Sequence, residues 1–571
     1  MNIKKILLFL TGIVLSVCAG AKTIKITMAD GSLRVFASAE LESIEFADDG
    51  TLIVTTWDGK NIDMGAGTFD VVDIDDEAAV TCIKDTVLTL PLGSEPVVRE
   101  VKKIDIVYPS VDPQGNPMTL SGVIYVPTDI WEGQVKSDGI VLVNHFTTPQ
   151  KDMAPTKGGF GLELLYVANP YGRNYIGVVS DFYGFGVTER YPQAFLQGST
   201  NGYASIHMLL AAREMLSKMG VDYGPLLFNV GYSSGGFDAM ATQKVRDMEY
   251  RDEVWFDKTF AGGGPYDMVE CYKDFVKTDV SAFISGIGMT IVATNECQQL
   301  GIPYSDLFQK PLDTKFTKWI MDKELHQFAI RDSVERYASR ISEVMMPAYT
   351  DLNSAETKRL LDVLYTNSLT HDWKPDPTQK IYLVHARDDD YVPFASAHPL
   401  LDFLKKAGYE NNINAGRTNL QSNFFFKELG HIGIGALFAL ESLFAVTAWP
   451  KVYDENHMMK EEYAERLAQE NSSALATMNL MNEVGIDTQW LKNAVMSLRE
   501  STNAFIDNPD DEQEGDGKSS DITLLSVLQT YFGLLPENDE EEAAMKEDIG
   551  MDPRTYLQRL RRLLILIGIL S

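Results

Sequence analysis

Cysteine is scarce: four in 571 residues, at Cys18, Cys82, Cys271 and Cys297. None has the spacing of a metal-ligand set, and a disulfide-dependent fold is excluded at this density. A Cys271–Cys297 bridge and two buried thiols remain equal readings. Positive charge is also short. Against 81 Asp and Glu stand 50 Lys and Arg, a net charge of −31. No basic stripe interrupts that acidity, which argues against a nucleic-acid partner. A run long enough to span a bilayer as a helix is missing too; the apolar C-terminal segment 556–570 is too short and carries Arg559, Arg561 and Arg562. With 45% hydrophobic residues the chain has ample material for a core, and its length calls for more than one domain.

The N-terminus has export features. Lys4 and Lys5 precede an apolar run from Ile6 to Val17, and Ala19-Gly20-Ala21 follows. Residues 1–21 read as a signal peptide cut after Ala21, which places the mature protein in the periplasm, on the cell surface or in the medium. Val17 before Cys18 opposes a lipoprotein.

Residues 22–76 hold a two-copy repeat with a spacing of 28. Thr23-Ile24-Lys25-Ile26-Thr27, Asp30-Gly31 and Ile44-Glu45-Phe46 recur as Thr51-Leu52-Ile53-Val54-Thr55, Asp58-Gly59 and Val72-Asp73-Ile74. Alternation around Asp-Gly predicts hairpins in a small β module. From 77 to 450 apolar strands alternate with helical patterns, the rhythm of an α/β sheet. Gly139–Val143 and Tyr175–Val179 are continuous apolar runs, and Leu226–Val230 and Lys380–Val384 complete a set suited to parallel strands buried on both faces. Residues 265–376 break the rhythm and read as a helical cap insert. Residues 451–571 read as a helical extension with an acidic linker.

The chemistry centres on Gly231-Tyr232-Ser233-Ser234-Gly235-Gly236. A strand-like run ends before it and a helical run starts after it. Such a turn needs small residues around the serine so that its Oγ can project, and the following helix N-terminus faces developing negative charge. The glycine spacing selects Ser233 over Ser234.

This elbow and its flanks resemble the α/β-hydrolase superfamily over residues 85–450. Val107-Tyr108-Pro109-Ser110-Val111-Asp112, Ser121-Gly122 and Ala261-Gly262-Gly263-Gly264-Pro265-Tyr266-Asp267 resemble its secreted serine lipases and carboxylesterases. The resemblance implies an α/β-hydrolase fold and a nucleophile, acid and histidine in that chain order. His385-Ala386-Arg387-Asp388-Asp389-Asp390-Tyr391-Val392-Pro393 resembles the H-G-x-x-D-x-x-V-P segment, with Ala386 in place of glycine, and its register points to Asp389. Leu429-Gly430-His431 supplies the base, able to take the Ser233 proton and return it to a leaving alcohol. The oxyanion donors implied are the backbone of Ser234 and of Thr147 or Phe146, in a loop lacking the family's usual glycines. Asp181-Phe182-Tyr183-Gly184-Phe185-Gly186 resembles a structural D-x-x-G-x-G loop, and His207 and His326 sit in helical patterns.

The expected activity is hydrolysis of a small-molecule, lipid or glycan ester, with no metal or organic cofactor. A serine exopeptidase of the prolyl-oligopeptidase type shares G-x-S-x-G-G, but it normally carries a propeller of many blade repeats. A non-catalytic surface binding module on the same fold is the third reading.

Overall fold

The computed structural model describes residues 80–91, 98–158, 174–410 and 419–425 continuously, six strands between 23 and 75, and part of 166–167 and 430–449. The expected signal peptide and the C-terminal extension lie outside the described residues.

The repeat folds as six strands: β1 (Thr23–Met28), β2 (Leu33–Ala37), β3 (Leu41–Phe46), β4 (Thr51–Thr56), β5 (Asn61–Ala66) and β6 (Phe69–Asp75). The expected hairpins are β1–β2 and β4–β5. The third strand of each copy goes elsewhere. β6 pairs with β1 and β3 pairs with β4, giving two three-stranded sheets, β2-β1-β6 and β3-β4-β5. Each copy thus completes the other's sheet.

The next strands are β7 (Thr81–Pro91), β8 (Val98–Val111), β9 (Pro117–Pro127), β10 (Gly139–Asn144), β11 (Tyr175–Ser180), β12 (Leu226–Tyr232), β13 (Lys258–Gly262), β14 (Ile381–Ala386) and β15 (Leu420–Phe425). Among the described residues these nine form one sheet in the order β15-β14-β13-β12-β10-β11-β9-β8-β7. The six strands from β15 to β11 run parallel, and β9, β8 and β7 add antiparallel pairs. Every residue of β10, β11 and β14 is buried, as apolar runs covered on both faces should be. Pro109 sits in β8 opposite Thr119 of β9, beyond Val107, the last β8 residue paired to β7. Its missing N–H therefore costs no ladder bond on the β7 side.

The helices that bear on the site are α1 (Gly198–Lys218), α2 (Ser234–Glu249), α3 (Met268–Thr278), α4 (Ser285–Cys297), α5 (Leu312–Met321), α6 (Gln327–Glu335), α7 (Ala355–Asn367) and α8 (His398–Lys406). Helices α3 to α7 lie between β13 and β14 in the chain, within the stretch 265–376 that breaks the strand–helix rhythm. Buried Arg246 of α2 holds the end of that stretch: its Nη1 lies 2.7 Å from Asp376 Oδ2 and 2.9 Å from Asp247 Oδ1. Cys271 and Cys297 are buried free thiols, so the bridge left open by the sequence is not formed. Among the described residues no helix is long and apolar enough to cross a membrane.

The chain passes from β10 to β11 on one side and on to β12 on the other. Clefts open at the carboxyl ends of strands where the order reverses in this way.

Candidate active site

Ser233 follows the last residue of β12 and caps α2. Its backbone is left-handed, φ 59° and ψ −125°, which a serine adopts only when its surroundings enforce it. The glycines show what enforces it. A Cβ on Gly235 would strike the Asn144 carbonyl, and one on Gly236 the Gly262 carbonyl. The tight passage between β10 and β13 therefore requires both glycines.

Gly430 and His431 are both helical. His431 Nε2 lies 2.8 Å from Ser233 Oγ, and its Nδ1 lies 2.8 Å from Asp389 Oδ2. The Asp389 carboxylate is wholly buried. Its other oxygen accepts the backbone N–H groups of Tyr391 at 2.9 Å and Val392 at 2.7 Å. Burial pushes this carboxyl up, but His431, His385 and the Val392 N–H together hold it below the usual aspartate value, so it stays ionised. Of its neighbours, Asp390 accepts the His431 backbone N–H at 3.1 Å, while Asp388 is exposed.

Ser234, Phe146 and Thr147 line the same cavity as Ser233. The Ser234 N–H is one of the first four of α2, which have no acceptor within the helix. Thr147 Oγ1 donates to Ser234 Oγ at 3.2 Å, tying the loop after β10 to the elbow. The Phe146 carbonyl faces His145 Nδ1 at 3.0 Å.

Asp181 has the structural position expected of its loop. It accepts Ser121 Oγ at 2.5 Å and Thr156 N–H at 2.9 Å. His207 bridges Ser110 and Tyr250, and His326 caps α6 by accepting the Ala329 N–H. Tyr232 and Tyr391 were given no role by the sequence, and His385 only that of a structural anchor in the acid motif. Tyr232 donates its hydroxyl to the His431 carbonyl. His385 Nε2 sits 3.4 Å from Asp389 Oδ2. Tyr391 stacks on the His431 ring. Only nearness to motif residues marked the two tyrosines.

The cavity over Ser233 measures about 440 Å³, within the range of small-molecule sites. Met268, Tyr272 and Phe275 of α3, Ile287 of α4 and Phe328 of α6 supply much of its wall. Among the described residues no Asp, Glu, Lys or Arg lines it, and no cluster of His, Cys, Asp and Glu there could hold a metal ion.

One buried acid stands apart. Asp238, on the first turns of α2, is pushed up to about 8 by burial, against the pull of its hydrogen bond from Asn201. The folded protein thus holds this proton more tightly than the unfolded chain. The group's contribution to stability is full below about pH 4 and is lost as pH rises through about 8. Asp238→Asn cannot titrate and should flatten that fall. Urea unfolding at about pH 5 and about pH 8 checks this; equal losses in both proteins would assign the slope to other groups.

No family model matches the sequence, and no curated protein does. Solved structures do match. A candidate hydrolase of Legionella pneumophila shares 22% identity at a TM-score of 0.52, over 60% of this chain and 88% of that one. A variant of the rice cell wall degrading esterase LipA from Xanthomonas oryzae shares 19% identity at a TM-score of 0.51, over 61% of this chain and 91% of that one.

Proposed function

From the premise that this chain has the α/β-hydrolase fold, we propose that it is an exported serine hydrolase of carboxylic esters, esterase- or lipase-like. The observation that carries the reading is the continuous line of hydrogen bonds from Ser233 Oγ through His431 to Asp389, 2.8 Å at each step. His431 Nε2 takes the Ser233 proton as Oγ adds to the ester carbonyl carbon. The negative oxygen of the tetrahedral adduct is received by the Ser234 N–H and by that of Thr147 or Phe146. The adduct collapses as His431 returns the proton to the departing alcohol, leaving an acyl-serine. Water, deprotonated by His431, repeats the sequence and releases the acid. Asp389 stays ionised throughout, holding the imidazole tautomer and offsetting its positive charge.

The apolar cavity favours an acyl group over a charged one. It also disfavours the exopeptidase reading, because a free α-amine in this wall would meet no carboxylate among the described residues. Export to the periplasm, cell surface or medium rests on the Lys4-Lys5 and Ile6–Val17 pattern. Lipid or glycan esters are the substrate classes proposed, and no cofactor enters the scheme.

The test is a panel of p-nitrophenyl acetate, butyrate and a longer acyl ester beside aminoacyl-p-nitroanilides. Ester turnover rising beyond acetate is expected, with the anilides left intact. Cleavage of the anilides alone, or of nothing, would sink the reading.

A further inference from the structure

We infer that Tyr391 is a positioning residue for His431, and that the cap acts on the base through it. The inference rests on the hydrolase reading above.

Three rings lie nearly parallel in one stack. Phe283, between α3 and α4, is 5.3 Å from Tyr391 at 12°, and Tyr391 is 5.0 Å from His431 at 14°. The same cap segment is tied to the acid loop by its backbone, where Ala282 N–H donates to the Asp390 carbonyl at 2.9 Å. Arg331 Nη1 of α6 lies 3.5 Å from the Tyr391 hydroxyl. Tyr391 also donates its own N–H to Asp389 Oδ1. One residue therefore holds the acid with its backbone and the base with its ring.

The hydrogen bonds at Nδ1 and Nε2 restrain the imidazole within its plane and only weakly against tilting out of it. A ring stacked on its face supplies that restraint. Tilting would carry Nε2 away from Ser233 Oγ and weaken proton transfer. The stack also gains strength during the reaction, because an imidazolium over an aromatic face is attracted by the ring quadrupole while the neutral ring is much less so. An interaction stronger in the transition state than in the ground state raises kcat rather than tightening substrate binding. Tyr232 lies 5.1 Å from the same imidazole but tilted by 41°, with its hydroxyl committed to the His431 carbonyl, so it anchors the backbone rather than the ring face. Plain wall packing predicts something different: losing the ring would change KM.

The test compares Tyr391→Leu, Tyr391→Phe and Phe283→Leu in the full chain with p-nitrophenyl butyrate, resolving kcat and KM and recording a melting curve for each. Leucine keeps the site apolar but removes the face, and should lower kcat about 10- to 30-fold with KM within about twofold. Phenylalanine keeps the face and should restore kcat to within about twofold. Phe283→Leu, one ring removed from the base, should lower kcat about threefold. An unchanged kcat in Tyr391→Leu, or a change confined to KM, overturns the inference. Should that variant not fold, Phe283→Leu decides: wild-type kcat there overturns it.

A substrate-free arm separates this failure from failure of the hydrolase reading. Stacking on Tyr391 shifts the His431 ring proton signals upfield in an NMR spectrum, and Tyr391→Leu should remove that shift. Absence of the shift in the wild type overturns the inference whatever the ester panel shows. Turnover that survives Ser233→Ala overturns the hydrolase reading alone.

Discussion

Ser233→Ala should lower kcat by about 10⁴-fold or more and leave the unfolding transition where it is. The size follows from what is removed. Without Oγ no acyl-serine can form, and what survives is attack by water on an ester held at the oxyanion site. The stability expectation is as definite. Alanine meets the same left-handed backbone as serine, and the fold already holds that strain through Gly235 and Gly236. The substitution deletes one hydroxyl and its bond to His431 Nε2. Steady-state kinetics with the best ester of the panel, beside a denaturant curve, checks both halves. Turnover within tenfold of wild type would remove Ser233 from the mechanism.

The second large effect separates three consecutive aspartates. Asp389→Asn should lower kcat by about 10³- to 10⁴-fold, because the amide stabilises the wrong imidazole tautomer and offers no charge to the imidazolium. Asp390→Asn keeps an oxygen that can accept the His431 N–H, and should cost about tenfold or less, as expected of one hydrogen bond to a charged acceptor. Asp388 is exposed, and its replacement by asparagine should leave turnover within about twofold, in keeping with a surface change. The three variants are assayed side by side on one ester. A larger loss in Asp390→Asn than in Asp389→Asn would move the acid by one residue.

How far the sequence could be read depended on the range of the physics involved. The elbow is a local problem: Gly231, Ser233, Gly235 and Gly236 fall within six residues, and each glycine is required by backbone that passes within contact of it. Asp389 could be singled out from its neighbours because His385 and Val392-Pro393 set the register independently of the aspartates. Four of the six parallel strands, β10, β11, β12 and β14, showed as largely apolar runs; β13 and β15, with Lys258 and Thr259 or Gln421, Ser422 and Asn423, did not. β7 and β8 did not, because long antiparallel strands at the sheet margin mix charged and apolar residues. The stack on His431 was hidden for another reason. It joins Phe283, Tyr391 and His431 from three separate stretches of chain, and nothing in any one stretch specifies the others.

The strand exchange in the N-terminal repeat was equally invisible, since Asp-Gly turns report hairpins and not the partners of the third strands. It bears on how the module comes into being. β1 obtains its second neighbour only when β6 exists, and β4 takes its own from β3, made before it. A two-stranded hairpin is marginal in water, so a chain emerging from the ribosome carries the first copy as an unfinished edge until Phe69–Asp75 has been synthesised. The β3-β4-β5 sheet has all its strands once Ala66 is made, whereas β2-β1-β6 must wait for β6. A fragment ending between the copies should hold neither, and the 28-residue unit, although it repeats in sequence, is not a unit of folding.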